Sequence, residues 1–387
     1  MTKAATRHVL HFSQSYPSSV RSGLRQVAVA GFVLALLSGN SLIFGIDLSI
    51  ALMFIVATVV GVLNPEVNRR NLTLVVSFCL CLAIIGVLAI RLEVPYFTAY
   101  PLWPAKAAIG CILAFFLSEL VAEDEVVSLN LILFVCFVFM AAAVLFGSEI
   151  DGRLNFIFGP NMLYRWTAIM FGLALIAARR AGGMNRLLCF GVIIFSIFLL
   201  QVIGSRGGLI ALLAVFFLCS RHRTLLTAAG LSLLVMLTAV LIELADSSRV
   251  LSGLTIEAIE RSERMRFWRV ALTDDFQIFG HVYSDFLPFA SYGFAYPHNL
   301  VVELVFHYGI FGFAVVLAIL TAATLSLGQA FVSNNPLLAV LFWSIFVGSM
   351  FSGDLSDNFS VIVLTLWVLC ASGQSDHGGL VPRSDQP

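Results

Sequence analysis

Tyr296, Pro297, His298 and Asn299 stand at the head of a long apolar stretch that then carries Glu303, His307, Gly309 and Gly312. Pro297 suits the first turn of a helix, so His298 falls in that turn, where the positive end of the helix dipole disfavours an imidazolium. The neutral imidazole that results can accept a proton near neutral pH and serve as general base for a hydroxyl. Sited where the chain leaves water for lipid, it would act on a membrane-bound substrate. Asn299, Glu303 and His307 recur at intervals of four and so share one stripe of the helix. A carboxylate within an apolar stretch is costly unless it is paired or faces a polar cavity. Glu303 and His307 therefore read as an internal bridge that orients Asn299 and, through it, His298. Gly309 and Gly312 read as places of close helix packing.

Two groups of cations accompany the histidine. Arg206 lies in Gly204-Ser205-Arg206-Gly207-Gly208, between two apolar runs. A guanidinium flanked by glycines can approach an anion closely, and its planar fork fits two phosphate oxygens at once. The plainer alternative is a helix-end anchor reaching toward lipid headgroups. The second group lies in a run of helical composition from Thr255 to Leu272, with Arg261, Arg264, Arg266 and Arg269 among Glu257, Glu260 and Glu263. Acids toward the start and bases toward the end complement a helix dipole, which explains part of the pattern without any ligand. Arg264 and Trp268 are four apart and share a face, as expected of a helix lying along the membrane interface.

These groups need a membrane scaffold to hold them, and the composition supplies one. Hydrophobic residues make up 60% of the 387, charged residues 11%, and the mean hydropathy is +0.98. A segment needs about 20 apolar residues to cross the hydrocarbon core as a helix. The chain shows no alternation of the kind a β-barrel requires. The expected fold class is all-α, a polytopic bundle with about twelve spans and one long loop containing short interfacial helices. The expected spans lie near 27–44, 47–64, 71–90, 102–121, 127–147, 161–178, 187–204, 207–220, 225–244, 299–323, 335–352 and 358–372. Around them the chain divides into a cytoplasmic N-terminal tail 1–26, spans 27–244, a periplasmic loop 245–297, spans 298–372 and a short cytoplasmic tail 373–387. Lys3, Arg7, Arg21 and Arg25 hold the N-terminus inside, and the span count then puts Arg69, Arg70, Arg179, Arg180, Arg186, Arg221 and Arg223 inside as well, as the positive-inside rule requires. The same count puts Arg206, the 245–297 loop and His298 on the outer face, away from cytoplasmic nucleotide sugars. The cysteines Cys79, Cys81, Cys111, Cys136, Cys189, Cys219 and Cys370 fall in or beside apolar runs and read as small buried hydrophobes. A net charge of zero argues against nucleic acid as a partner.

Taken in order, these motifs resemble the O-antigen ligase and O-antigen polymerase family. Tyr296-Pro297-His298-Asn299-Leu300, Glu303 and Gly309-Ile310-Phe311-Gly312 look like its histidine motif, and Ser205-Arg206-Gly207 like its arginine between two spans. Ser262-Glu263-Arg264-Met265-Arg266-Phe267-Trp268, followed by Gly280, looks like its second arginine motif, although Gly280-His281-Val282-Tyr283 is poorer in glycine than the usual turn. His307 stands where many members carry an acid. The resemblance implies a bacterial inner-membrane glycosyltransferase that works without a metal or other cofactor and inverts the anomeric carbon. Its donor would be a glycan linked through a diphosphate to undecaprenol, and its acceptor a hydroxyl of the lipid A core or of a second lipid-linked glycan. His298 would be the base, Arg206, Arg264 and Arg266 the diphosphate ligands, and Tyr296, Asn299 and Glu303 their supports. No paired acids suggest a metal: Asp47 is alone in the first outer loop, and the adjacent Asp274 and Asp275 cannot share a helix face. Asp354 and Asp357 either order the last outer loop or contact sugar.

Two other classes fit the layout. A transporter or flippase of lipid-linked sugar would place ionisable residues at mid-membrane in both halves, with an internal repeat; here they crowd one face of the second half. A peptidoglycan-polymerase-like enzyme would use a related lipid donor with an acid as base.

Overall fold

A computed structural model of the chain describes residues 18–39, 42–43, 46–63, 69–91, 102–121, 125–150, 153–157, 159–204, 206–219, 268, 271, 277–281, 299–332, 337–351 and 357–372. The helices are α1 (Ser18–Ser38), α2 (Leu48–Leu63), α3 (Arg69–Arg91), α4 (Trp103–Val121), α5 (Glu125–Phe146), α6 (Pro160–Arg180), α7 (Gly183–Ile203), α8 (Arg206–Cys219), α9 (Leu300–Val332), α10 (Leu337–Ser349) and α11 (Phe359–Ser372). Two antiparallel ladders join some of them: β1 (Leu42–Ile43) with β2 (Ile46–Asp47), and β3 (Ser148–Ile150) with β4 (Arg153–Asn155). The ladders were not expected, since strands of two or three residues leave no periodic signal. Helix α1 also begins earlier than expected, so Arg21 and Arg25 lie within it. The expected span at 225–244 lies outside the described residues.

Among the described residues six helices are long and apolar enough to cross a membrane, and five more are apolar but shorter. Helices α6, α10 and α11 form the centre and are buried along almost their whole length. Around them the outward faces are apolar too. The exposed side chains include Leu72, Val76, Leu80, Val87 and Ile90 on α3, and Ile310, Phe313, Leu317 and Leu320 on α9. Spacings of three, four and seven keep each set on one stripe. A bundle apolar both inside and out has lipid as its solvent, and the chain is a predominantly helical, multi-pass membrane protein.

Local chemistry sets the helix ends. Pro160 opens α6, and Arg179 and Arg180 close it, where cations complement the dipole. Gly204 ends α7 in the left-handed conformation (φ 65°), its N–H donating to Leu200 and Gln201, and α8 starts at Arg206. Asp47 caps α2, its Oδ1 accepting from the N–H groups of Ser49 and Ile50 and from the Ser49 hydroxyl at 3.0, 3.2 and 2.6 Å. Of the seven free cysteines, Cys111, Cys136, Cys219 and Cys370 are buried and Cys79, Cys81 and Cys189 are half-buried.

Candidate active site

Helix α9 carries the part of the histidine motif that the structure describes. Asn299 is its cap: the carboxamide Oδ1 accepts from the N–H groups of Val301 and Val302 at 3.0 and 3.1 Å, and the Asn299 carbonyl accepts from Glu303 N–H at 2.9 Å. With only 2% of its surface exposed, Asn299 satisfies N–H groups that would otherwise lack partners at a helix start. The oxygen expected to be oriented by Glu303 and His307 is thus held by its own helix. Glu303 and His307 are fully buried on the stripe below it. With Asn299 as cap, α9 starts at Leu300, later than expected, so the first turn follows His298 instead of including it.

Two turns further on, the helix is broken. Gly309 has φ 52° and ψ −126°, a conformation outside the reach of other residues. Regular winding would pair the Ile310 N–H with the Phe306 carbonyl. Instead Ile310 N–H donates to the Ile278 carbonyl and Phe306 O accepts from His281 N–H, both at 3.0 Å. Residues 277–281 are thereby docked main chain to main chain into the break, and the His281 ring stacks on Phe306 at 4.1 Å and 10°. Glycine makes the approach possible. A Cβ on Gly280 (φ 81°) would lie 1.9 Å from the His307 carbonyl oxygen, and one on Gly309 would lie 2.2 Å from that of Ile278. A Cβ on Gly312 would meet the Leu304 carbonyl oxygen at 1.7 Å. The glycines read as packing residues are the conditions for a break and its repair.

Arg206 is the first residue of α8, and its glycine neighbours explain how the turn is seated. A Cβ on Gly207 would lie 3.0 Å from the Phe351 Cβ, and one on Gly208 would lie 2.9 Å from the Tyr164 Cβ. Tyr164 donates its hydroxyl to the Gly348 carbonyl at 2.7 Å. The adjacent Arg165, 1% exposed, donates through Nη2 to Asn358 Oδ1 at 2.5 Å and through Nη1 to the Asp357 carbonyl at 3.4 Å. Lys106 of α4, 2% exposed, binds Asp47 Oδ2 at 2.8 Å and the Gly39 carbonyl at 3.0 Å, with Nζ 5.1 Å from the centre of the Phe359 ring. Burial raises the Asp47 carboxyl, but hydrogen bonds from Lys106 and Ser49 and the Lys106 charge outweigh it and hold the group below its ordinary value.

These contacts gather the starts of α2, α4, α6, α8 and α11 and the end of α10 at one end of the bundle. Trp343 Nε1 donates to Ser326 Oγ at 3.0 Å and ties α10 to the C-terminal part of α9. Tyr164, Arg165 and Lys106 were not singled out from sequence, although a lone Lys or Arg inside an apolar run is itself a signal; of residues 277–281, Gly280 and His281 were, as the turn after the second arginine motif. Asp47 proves to be the partner of Lys106 and a helix cap. His298, Tyr296, Arg264, Arg266, Asp274, Asp275 and Asp354 lie outside the described residues, as does the Arg206 side chain. Among the described residues no three His, Cys, Asp or Glu side chains are grouped as ligands for a metal ion. Compared with models of protein families and with curated proteins, the chain matches none.

Proposed function

We propose that the chain is a glycosyltransferase of the bacterial inner membrane, of the O-antigen ligase and polymerase type. The topology in this reading is the expected one of about twelve spans, with the gathered end facing the periplasm. The observation that carries this reading is the joint at Gly309. It docks residues 277–281, which follow the second arginine motif, onto the helix that carries the end of the histidine motif, and this link supports a reading in which the two motifs serve one site.

In this mechanism the acceptor hydroxyl attacks the anomeric carbon from the face opposite the diphosphate. The new C–O bond forms as the glycosyl–phosphate bond breaks, and the configuration inverts. His298 takes the hydroxyl proton, its imidazole kept neutral by the helix start that Asn299 caps. The undecaprenyl diphosphate leaves with the bonding electron pair, and Arg206 with Arg264 and Arg266 stabilise the charge that develops on it. The acceptor is a lipid A-core sugar or the end of a second lipid-linked glycan.

The test is transfer of lipid-linked glycan by the purified protein in proteoliposomes. His298→Ala lowers the rate by about 10²–10⁴-fold while donor binding persists, and Arg206→Lys weakens donor use because a point charge cannot copy the fork. Full activity in His298→Ala excludes this mechanism. Surface polysaccharide from a deletion strain then separates the acceptors: single repeats still attached mean a polymerase, and accumulated lipid-linked chains with nothing attached mean a ligase.

A further inference from the structure

The connection from α10 to α11 is pinned at both ends by neighbouring side chains of α6. At its start, Met350 and Phe351 close a turn on Val347 and Gly348, both bonds at 3.2 Å, and the Gly348 carbonyl also accepts the Tyr164 hydroxyl. At its end, Asp357 and Asn358 accept from Arg165, the Asn358 carbonyl accepts Val361 N–H at 2.9 Å as α11 begins, and Lys106 faces Asp357 and the Phe359 ring from the other side. Phe351 and Tyr164 then form the two walls against which Gly207 and Gly208 rest without side chains. The first turn of α8 has no room to shift toward either wall.

From this geometry we infer that Tyr164, Phe351 and Gly207 are positioning residues for donor binding: they fix the first turn of α8, and with it the point from which Arg206 reaches the diphosphate. The inference rests on the function proposed above and adds to it the parts that set the arginine's reach. Arg165 and Lys106 act at the far end of the connection, on Asp357, Asn358 and the Phe359 ring where α11 begins. Geometry of this kind affects rate steeply, since a displacement of about 1 Å at a charged ligand can cost on the order of 10²-fold.

The experiment measures initial rates of transfer in proteoliposomes with undecaprenyl-diphosphate-linked glycan extracted from the deletion strain, using full-length Gly207→Ala, Tyr164→Phe and Arg206→Lys and the two doubles that contain Arg206→Lys. Gly207→Ala adds a methyl against Phe351, and Tyr164→Phe removes only the hydroxyl that holds Gly348. Each should raise the KM for donor by roughly tenfold with little change in kcat. Each should also add nothing further in the Arg206→Lys background, because both act through that arginine. An unchanged KM in both single variants, including the case where only the amount of folded protein falls, overturns the inference. So do fully additive effects in the doubles when Arg206→Lys alone raises KM. A silent Arg206→Lys instead overturns the diphosphate role itself, which separates the two failures.

Discussion

Ile310 donates its N–H to the carbonyl of Ile278, thirty-two positions earlier in the chain, at the point where α9 should have bonded to itself. In lipid an unpaired backbone group is costly, so a broken helix persists only if another segment takes up the freed N–H and C=O groups. Residues 277–281 take up both.

Gly309→Ala should therefore be among the most damaging single-atom changes in the protein. The backbone conformation alone costs a non-glycine residue about 1–3 kcal/mol, and overlap with the Ile278 and Gln277 carbonyls adds to it. Gly61 of α2 is the control: nothing lies within 4 Å of a Cβ there, and Gly61→Ala should be neutral or stabilise by about 0.5–1 kcal/mol. Thermal melts in detergent compare the two, and equal midpoints would show that α9 is unbroken.

Replacing Asn299 tests the cap. Asn299→Ala should cost about 1 kcal/mol of stability and lower transfer activity by freeing the entry to α9, whereas Asn299→Asp, which still accepts from Val301 and Val302, should keep most of both. Equal losses in the two variants would mean that the carboxamide nitrogen, not the oxygen, carries the role.

The Lys106–Asp47 pair predicts an acid limit. Asp47 is held below its ordinary value of 3.8 in the folded protein, so the pair's stabilisation is present above that pH and is lost as pH falls through the lower folded value. Asp47→Ala leaves Lys106 buried without its carboxylate and should cost about 3–5 kcal/mol, with a flatter pH dependence below about pH 4. Circular dichroism melts of the two proteins across that range provide the comparison.

Arg165→Lys should destabilise by about 1.5–3 kcal/mol despite keeping the charge, because one ammonium cannot serve both the Asp357 carbonyl and Asn358 Oδ1. A melt within about 0.5 kcal/mol of the parent would show that the turn before α11 is held by other contacts.

Most helices were legible because a segment that must hide its backbone from lipid announces itself by composition over many residues. The runs expected near 102–121, 161–178 and 358–372 appear as α4, α6 and α11 with ends moved by a few residues. What could not be read was of another kind. Gly309 and Gly312 have the same local sequence whether they pack a helix or break it; the difference lies in a partner segment some thirty residues upstream. Lys106 and Arg165 were hidden by their apolar surroundings, which dilute a single charge in any window average, although each is a buried cation that needs a partner. Asn299 was recognised as part of the site, but its cap geometry depends on where the helix starts, to within one residue.

Because the joint at Gly309 is made from main-chain atoms, it places demands on only a few letters of the sequence. The exposed side chains of Gln277, Ile278 and Phe279 take no part in its hydrogen bonds, while Gly280 and Gly309 have no room for a Cβ. A splice of this kind ties the fold to two glycines and leaves the letters around them to other demands.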